Sequence, residues 1–186
     1  MLGVVAIGAV IWAVIQLQPY YSAFQNFDDK AFVTYKEMAL TLAETGNVAD
    51  ATVWKQQVKD GLSIEDVEDV MRSVAAELNI KNVGELPLSK QVENMTGKKR
   101  RFLKIYMYCN PLTAVQMVDY SDAFSAYLPC RLSLLEDKQG KLWIYALNMD
   151  MMIHGGKPLP DDLNVEAERV RTVIKSIMDR AASGEF

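Results

Sequence analysis

No side chain between Met1 and Phe27 carries a charge, and Met1 to Leu17 (MLGVVAIGAVIWAVIQL) is apolar except for Gln16 and the glycines Gly3 and Gly8. Such a segment asks for lipid or a deep core. At 1.5 Å per residue it reaches roughly 25 Å, a little short of the approximately 30 Å hydrocarbon layer, so its ends need interfacial support. Trp12, Tyr20 and Tyr21 are the residues suited to supply it. A cleavable signal peptide would need a basic n-region and, after its apolar run, a small-x-small cleavage site, and neither is found before Pro19. A core helix of a soluble protein would show one polar face. The expectation is an uncleaved transmembrane anchor over residues 1–19, followed by one soluble domain over residues 20–186. The first basic residue is Lys30, so the positive-inside rule has nothing to count on the N-terminal side.

With 186 residues, there is room for that anchor and one core large enough to need no disulfide or metal staple. The net charge of −4 argues against nucleic acid as a partner, since phosphate binding needs a concentrated basic surface. The one basic cluster, Lys98 to Arg101, reads as a solvated turn leading into a strand.

After the Gln18-Pro19 break, Asp28 or Asp29 can cap a helix with Phe32, Tyr35, Met38, Ala39, Leu42 and Ala43 at helical spacing, stopped by Gly46. Ala51 to Val58 reads as a strand. Ser63 opens a capping-box-like SIED, and Ile64, Val67, Met71, Val74, Ala75 and Leu78 form one apolar stripe of a second helix. Asn79 to Lys99 is polar and turn-rich, with a short helix after Ser89. Arg101 to Cys109 reads as a strand that stops at Asn110-Pro111, and Thr113 to Tyr127 as a helix interrupted near Asp119 to Ser121. Cys130 to Glu136 and Lys141 to Asp150 flank Asp137-Lys138-Gln139-Gly140, a hairpin signal. A final helix runs from about Val165 to Arg180, with Val170, Val173, Ile174, Ile177 and Met178 on its core face. No repeat or second composition regime interrupts this order. An α+β domain with a largely antiparallel sheet packed by helices follows.

Cys109-Asn110-Pro111, Leu128-Pro129-Cys130-Arg131, the strand Leu142 to Asp150 and the ending Ala181 to Phe186 (AASGEF) resemble the domain-of-unknown-function 302 family, in particular its membrane-anchored bacterial branch. That resemblance covers most of residues 20–186. It implies a compact domain with a bent antiparallel sheet, on the periplasmic side of the bacterial inner membrane and often a homodimer, and it implies no established enzymatic activity.

Three groups of residues are candidates for chemistry. Cys109 ends one expected strand and Cys130 begins another; if those strands are antiparallel neighbours, both thiols lie at one edge of the sheet. A structural disulfide, a pair of buried thiols and a redox or ligand-binding pair are all consistent with that spacing. His154 is the only histidine and follows Met149, Met151 and Met152 in NMDMMIHGG. Thioether sulfur with imidazole suits haem iron or copper(I), whereas methionine at alternating strand positions commonly fills a core. Asp119, Asp122, Glu136, Asp137 and Asp150 sit beside turn or cap signals. Phosphate-cradling glycine motifs are absent, as is the Cys-x-x-Cys-His of covalent haem attachment.

The leading expectation is therefore a non-enzymatic, membrane-anchored accessory subunit of a membrane protein complex. The alternative is a ligand-binding redox protein built on Cys109 and Cys130, or on haem or copper held by His154 with Met149, Met151 or Met152.

Overall fold

The structure, a computed structural model, describes residues 2–186, with side chains described from residue 11 onward. Helix α1 (Leu2–Phe24) does not stop at Gln18-Pro19 as the sequence suggests; it carries Pro19 inside it. A proline removes one backbone hydrogen bond and crowds the preceding turn, which weakens a helix there without obliging it to end. Most of the expected anchor lies outside the described side chains. Among the described residues, no helix is long and apolar enough to cross a membrane. From Ile11 onward α1 stands away from the domain, with Trp12 66%, Tyr20 74% and Tyr21 65% exposed.

Helix α2 (Ala31–Thr45) forms where expected and ends on Gly46, whose φ of +64° is the left-handed conformation a helix stop requires. Its apolar stripe, however, does not enter the core. Only Ala31 and Thr34 are buried, while Phe32, Val33, Tyr35, Leu40 and Leu42 are exposed. Helical spacing marks a face that needs covering, but it does not say which surface will cover it.

The rest follows as α3 (Val48–Ala51), β1 (Val53–Gln57), α4 (Ile64–Glu77), β2 (Lys81–Leu86), α5 (Leu88–Thr96), β3 (Leu103–Cys109), α6 (Pro111–Tyr120), a 3-10 segment (Asp122–Tyr127), β4 (Cys130–Glu136), β5 (Leu142–Leu147), α7 (Met149–His154) and α8 (Asp161–Ser183). The Ser63 capping box opens α4: its hydroxyl accepts from the Asp66 amide, and the Asp66 carboxylate accepts from the Ser63 amide. Strand β2 was expected to be turn. Its polar KNVGEL lacks clean alternation, and a register shift between Asn82 and Gly84 leaves Val83 half-exposed, so pairing with β3 rather than local pattern makes it a strand.

The five strands pair antiparallel in the order β1-β5-β4-β3-β2. Registers such as Tyr106 opposite Leu132, and Leu132 opposite Ala146, put Tyr106, Tyr108, Leu132, Leu134, Ile144 and Ala146 on one buried face. On it pack α4, through Val67, Val70, Met71, Val74 and Ala75, and α8, through Val170, Val173, Ile174, Ile177 and Met178. At the β4–β5 turn the Asp137 carboxylate accepts from the amides of Gln139 and Lys141, and Gly140 takes φ +79°. The opposite sheet face carries half-buried Ile105, Met107, Trp143, Tyr145 and Leu147.

The expected strand over Lys141 to Asp150 ends at Leu147. Asn148 accepts from the Asp150 amide and caps α7 instead, so Met149, Met151 and Met152 lie on a helical turn and not at alternating strand positions. That change of period keeps Met149 and Met152 together and sends Met151 to another side of the turn.

Candidate functional site

Strands β3 and β4 are antiparallel neighbours with Tyr108 opposite Cys130, so Cys109 and Cys130 lie at the same end of the sheet. Both thiols are free. Asn110, directly after Cys109, caps α6 by accepting from the amides of Leu112 and Thr113, and Pro111 occupies the first turn, where its missing N–H costs nothing. The sheet end, α6, α7 and α8 enclose a cavity of about 30 Å³ with almost wholly apolar walls. Cys109, Cys130, Met117, Met149 and Met152 all line it. A neighbouring cavity of about 20 Å³ shares Cys130, Met149 and Met152 with the first. These three residues stand between two small voids.

The apolar setting decides the ionisation of the thiols. Burial, then the nearby Cys109, pushes the Cys130 thiol up to about 11. Burial also raises the Cys109 thiol above its ordinary value. Neither is held as thiolate at neutral pH, so the pair lacks the electropositive surroundings of an activated cysteine.

His154 belongs to a different constellation. It is 2% exposed at the end of α7. Its Nε2 lies 3.0 Å from Glu168 Oε1 on α8, and its Nδ1 lies 3.3 Å from Asp28 Oδ1 in the α1–α2 connection, off-line for a regular hydrogen bond. Lys30 Nζ sits 3.3 Å from Nε2 and 3.1 Å from Glu168 Oε1. Arg171 reaches both Asp150 and Glu168. Burial opposes ionisation of Asp28, but the Lys30 amide, His154 and the Lys30 charge hold its carboxyl below the ordinary range. Glu168 is likewise lowered against its burial, chiefly by Lys30. Two backbone contacts complete the join: the Asp28 amide donates to the Gly156 carbonyl at 2.8 Å, and the Tyr35 hydroxyl to the Gly155 carbonyl. The cluster fastens the end of the α1–α2 connection to the domain core.

The structure thus divides what the sequence placed together. Met149 and Met152 line the cavity that Cys109 and Cys130 border, Met151 lies with Tyr35, Phe124 and Met152 along another depression, and both ring nitrogens of His154 face carboxylates with Lys30 beside them. His154 and the methionines do not converge on a common centre. Among the described residues, no group of three His, Cys, Asp or Glu forms a metal site. Sequence reading missed Met117, Asp28, Lys30 and Glu168, whose partners lie far along the chain.

It also missed a second polar cluster. Lys104 Nζ bridges Glu68 Oε1 at 2.8 Å and Glu85 Oε2 at 2.7 Å, and the buried Tyr106 hydroxyl donates to the same Glu68. A signal existed: Lys104 shares strand parity with Tyr106 and Tyr108, so a lysine on that face needs a carboxylate partner. Trp12, Tyr20 and Tyr21 take part in none of these clusters and remain exposed on α1.

A family model described as "Domain of unknown function DUF302" matches residues 54–181, and the chain belongs to that family. Its fold is similar to the crystal structure of an uncharacterized conserved DUF302 protein from Bacillus stearothermophilus, with a TM-score of 0.56 at 13% identity over 70% of this chain and 98% of the other. No curated protein matches the chain. The likeness concerns the fold.

Proposed function

We propose that this member of the DUF302 family is a non-enzymatic accessory subunit of a membrane protein complex, tethered through α1 to the bacterial inner membrane with its domain in the periplasm. The observation that carries the reading is the uncovered apolar surface of the N-terminal helices. Ile11, Trp12, Val14, Ile15 and Leu17 on α1, and Phe32, Val33 and Leu40 on α2, are all more than half exposed. A soluble monomer rarely leaves so much apolar surface to water, and lipid or partner helices would cover it. Trp12, Tyr20 and Tyr21 suit the water–lipid boundary. The His154 cluster supports the same reading, because it holds the connection after α1 firmly and would pass the position of the helix to the domain.

An uncharged helix too short to span with ease is better held by neighbouring transmembrane helices than by lipid alone. A second copy of the chain is one such neighbour, making a homodimer the simplest assembly. The test is extraction from native membranes in mild detergent, followed by crosslinking and mass analysis. Recovery in the membrane fraction with crosslinked partners is expected. A chain released by washing without detergent, or one that stays a lone monomer after crosslinking, overturns the proposal.

A further inference from the structure

We propose that the groove between α5 and the sheet face turned away from α4 and α8 binds a single-chain anionic amphiphile. Arg100 and Arg101 hold its carboxylate or phosphate head, and its apolar tail lies along Leu88, Val92, Leu103 and Leu135. The groove is open and has a volume of about 260 Å³. Its lining comes from two directions. Leu88 and Val92 belong to α5, while Leu103 on β3 stands opposite Leu135 on β4 in the sheet register. Trp143 on β5 is next in that row, opposite Leu135, so the apolar floor continues past the groove. The Ser89 hydroxyl donates to the Leu103 carbonyl at 3.3 Å and ties the α5 wall to the floor.

Charge selects the occupant. Lys98, Lys99, Arg100 and Arg101 are consecutive and exposed, and none of them enters an ion pair among the described residues. Of the four, Arg100 and Arg101 line the groove. Arg101 Nη1 donates to the Glu136 carbonyl at 3.1 Å, which fixes its guanidinium at the rim and leaves further N–H donors for an anion. The carboxylates of this neighbourhood are engaged elsewhere. Glu136 accepts from the Phe102 amide, and Asp137 from the Gln139 and Lys141 amides and Trp143 Nε1. Two guanidiniums without a counter-ion above an apolar floor are complementary to a molecule with an anion at one end and hydrocarbon behind it. A bare anion would leave the floor wet, and a neutral hydrocarbon would leave the guanidiniums unpaired.

Size and position narrow the ligand further. Pockets for drug-sized ligands begin at about 300 Å³, so this groove admits one short acyl chain and not a two-chain lipid. It lies where β3 begins, whereas the connection after α1 joins the domain at His154 and Gly156, which follow β5 at the sheet end where β3 finishes. At 3.3 Å per residue those two ends are roughly 20 Å apart. A site so placed is filled by a free molecule and not by the surface of the bilayer that α1 would enter, and it does not depend on the tether.

The simpler reading is a solvated basic turn beside a shallow dip in the surface, and the test separates the two. The full chain in nanodiscs of zwitterionic phosphatidylcholine is titrated by calorimetry with hexanoate, octanoate and octyl phosphate, and the heats of empty discs are subtracted. Saturable binding of one octanoate or octyl phosphate per chain is expected, and the head that binds more tightly identifies the ligand's anion. With about half of each methylene removed from water, octanoate should bind about fourfold more tightly than hexanoate. Arg100→Gln with Arg101→Gln should weaken binding at least about tenfold. Val92→Glu, which sets a carboxylate into the α5 wall, should do the same. Lys98→Gln with Lys99→Gln removes the same charge outside the groove and should leave affinity within about twofold. Thermal melts confirm that each variant is folded. No saturable binding of either amphiphile overturns the proposal. So does inorganic phosphate binding as tightly as octyl phosphate, or an equal loss in the lysine and arginine double variants. Binding to phosphatidylglycerol vesicles without binding of the free amphiphiles would assign the basic cluster to a membrane surface and overturn it too.

Discussion

Replacing Lys104 by methionine tests whether the polar cluster between α4 and the sheet holds the domain together by charge or merely by packing. Glu68 and Lys104 side chains are 15% and 17% exposed, and Lys104 also meets Glu85. Methionine keeps most of the lysine stem, so the substitution removes mainly the ammonium. Breaking a fully buried pair costs about 3–5 kcal/mol because the remaining charge is stranded. Here residual solvent, the Tyr106 hydroxyl and Arg72 at 3.7 Å from Glu68 relieve part of that cost. A loss of about 2 kcal/mol at pH 7 is expected, which for a domain of this size lowers Tm by about 4–8 °C.

The pH dependence separates charge from packing. In the natural protein, burial opposes ionisation of Glu68, yet Lys104, Tyr106 and Arg72 hold its carboxyl below the ordinary range. Its stabilising contribution is therefore complete above the unfolded value of about 4.3 and is lost as pH falls through the lower folded value. Without Lys104, burial and Glu85 would lift the Glu68 carboxyl. A carboxylate so raised destabilises at neutral pH and stops doing so once protonated. The gap between variant and natural protein should then shrink from about 2 kcal/mol at pH 7 to under about 1 kcal/mol at pH 4. Urea unfolding followed by circular dichroism at the two pH values measures it, and Glu68→Gln in the variant background should recover at least half the loss at pH 7. An equal loss at both pH values, or no recovery with Glu68→Gln, would refute the charge account.

Three further outcomes follow from other parts of the molecule. Ser63→Ala, which removes the side-chain half of the α4 capping box, should cost about 1 kcal/mol in the same unfolding assay, with Ser63→Gly costing less. Asp28→Asn should lower Tm at pH 7, and the difference should shrink progressively as pH falls below the ordinary aspartate value of about 3.9, because a carboxyl held below that value stabilises only while ionised; thermal melts across that range check it. In the folded protein iodoacetamide should modify Cys109 before Cys130, and both rates should rise about tenfold per pH unit between pH 7 and 9, as read by mass spectrometry of peptides.

Local pattern was most informative where one element met the core along a continuous face. The stripes Val67 to Ala75 and Val170 to Met178 are buried as their spacing demands, the Ser63 cap forms, and Asp137 to Gly140 turns the hairpin. In each case the interactions that decide the structure lie within a few residues, so the sequence carries them. It failed where the partner was remote. The stripe of α2 has the right period but faces outward, β2 exists only because β3 pairs with it, and α7 replaces the tail of an expected strand once Asn148 caps it.

The same division holds for the chemistry. From sequence alone it followed that the N-terminal segment is uncharged and apolar, that one α+β domain follows, and that two cysteines, one histidine and a run of methionines are the residues worth watching. Which of these meet was settled only by the tertiary structure. Sheet register brings Cys109 and Cys130 to the same end of the sheet, helical rather than strand geometry places Met149 and Met152 at the cavity there, and His154 closes instead on Asp28, Lys30 and Glu168. Composition names the donors a chain possesses. A site needs donors converging on one point, and that convergence depends on long-range pairing that no local spacing encodes.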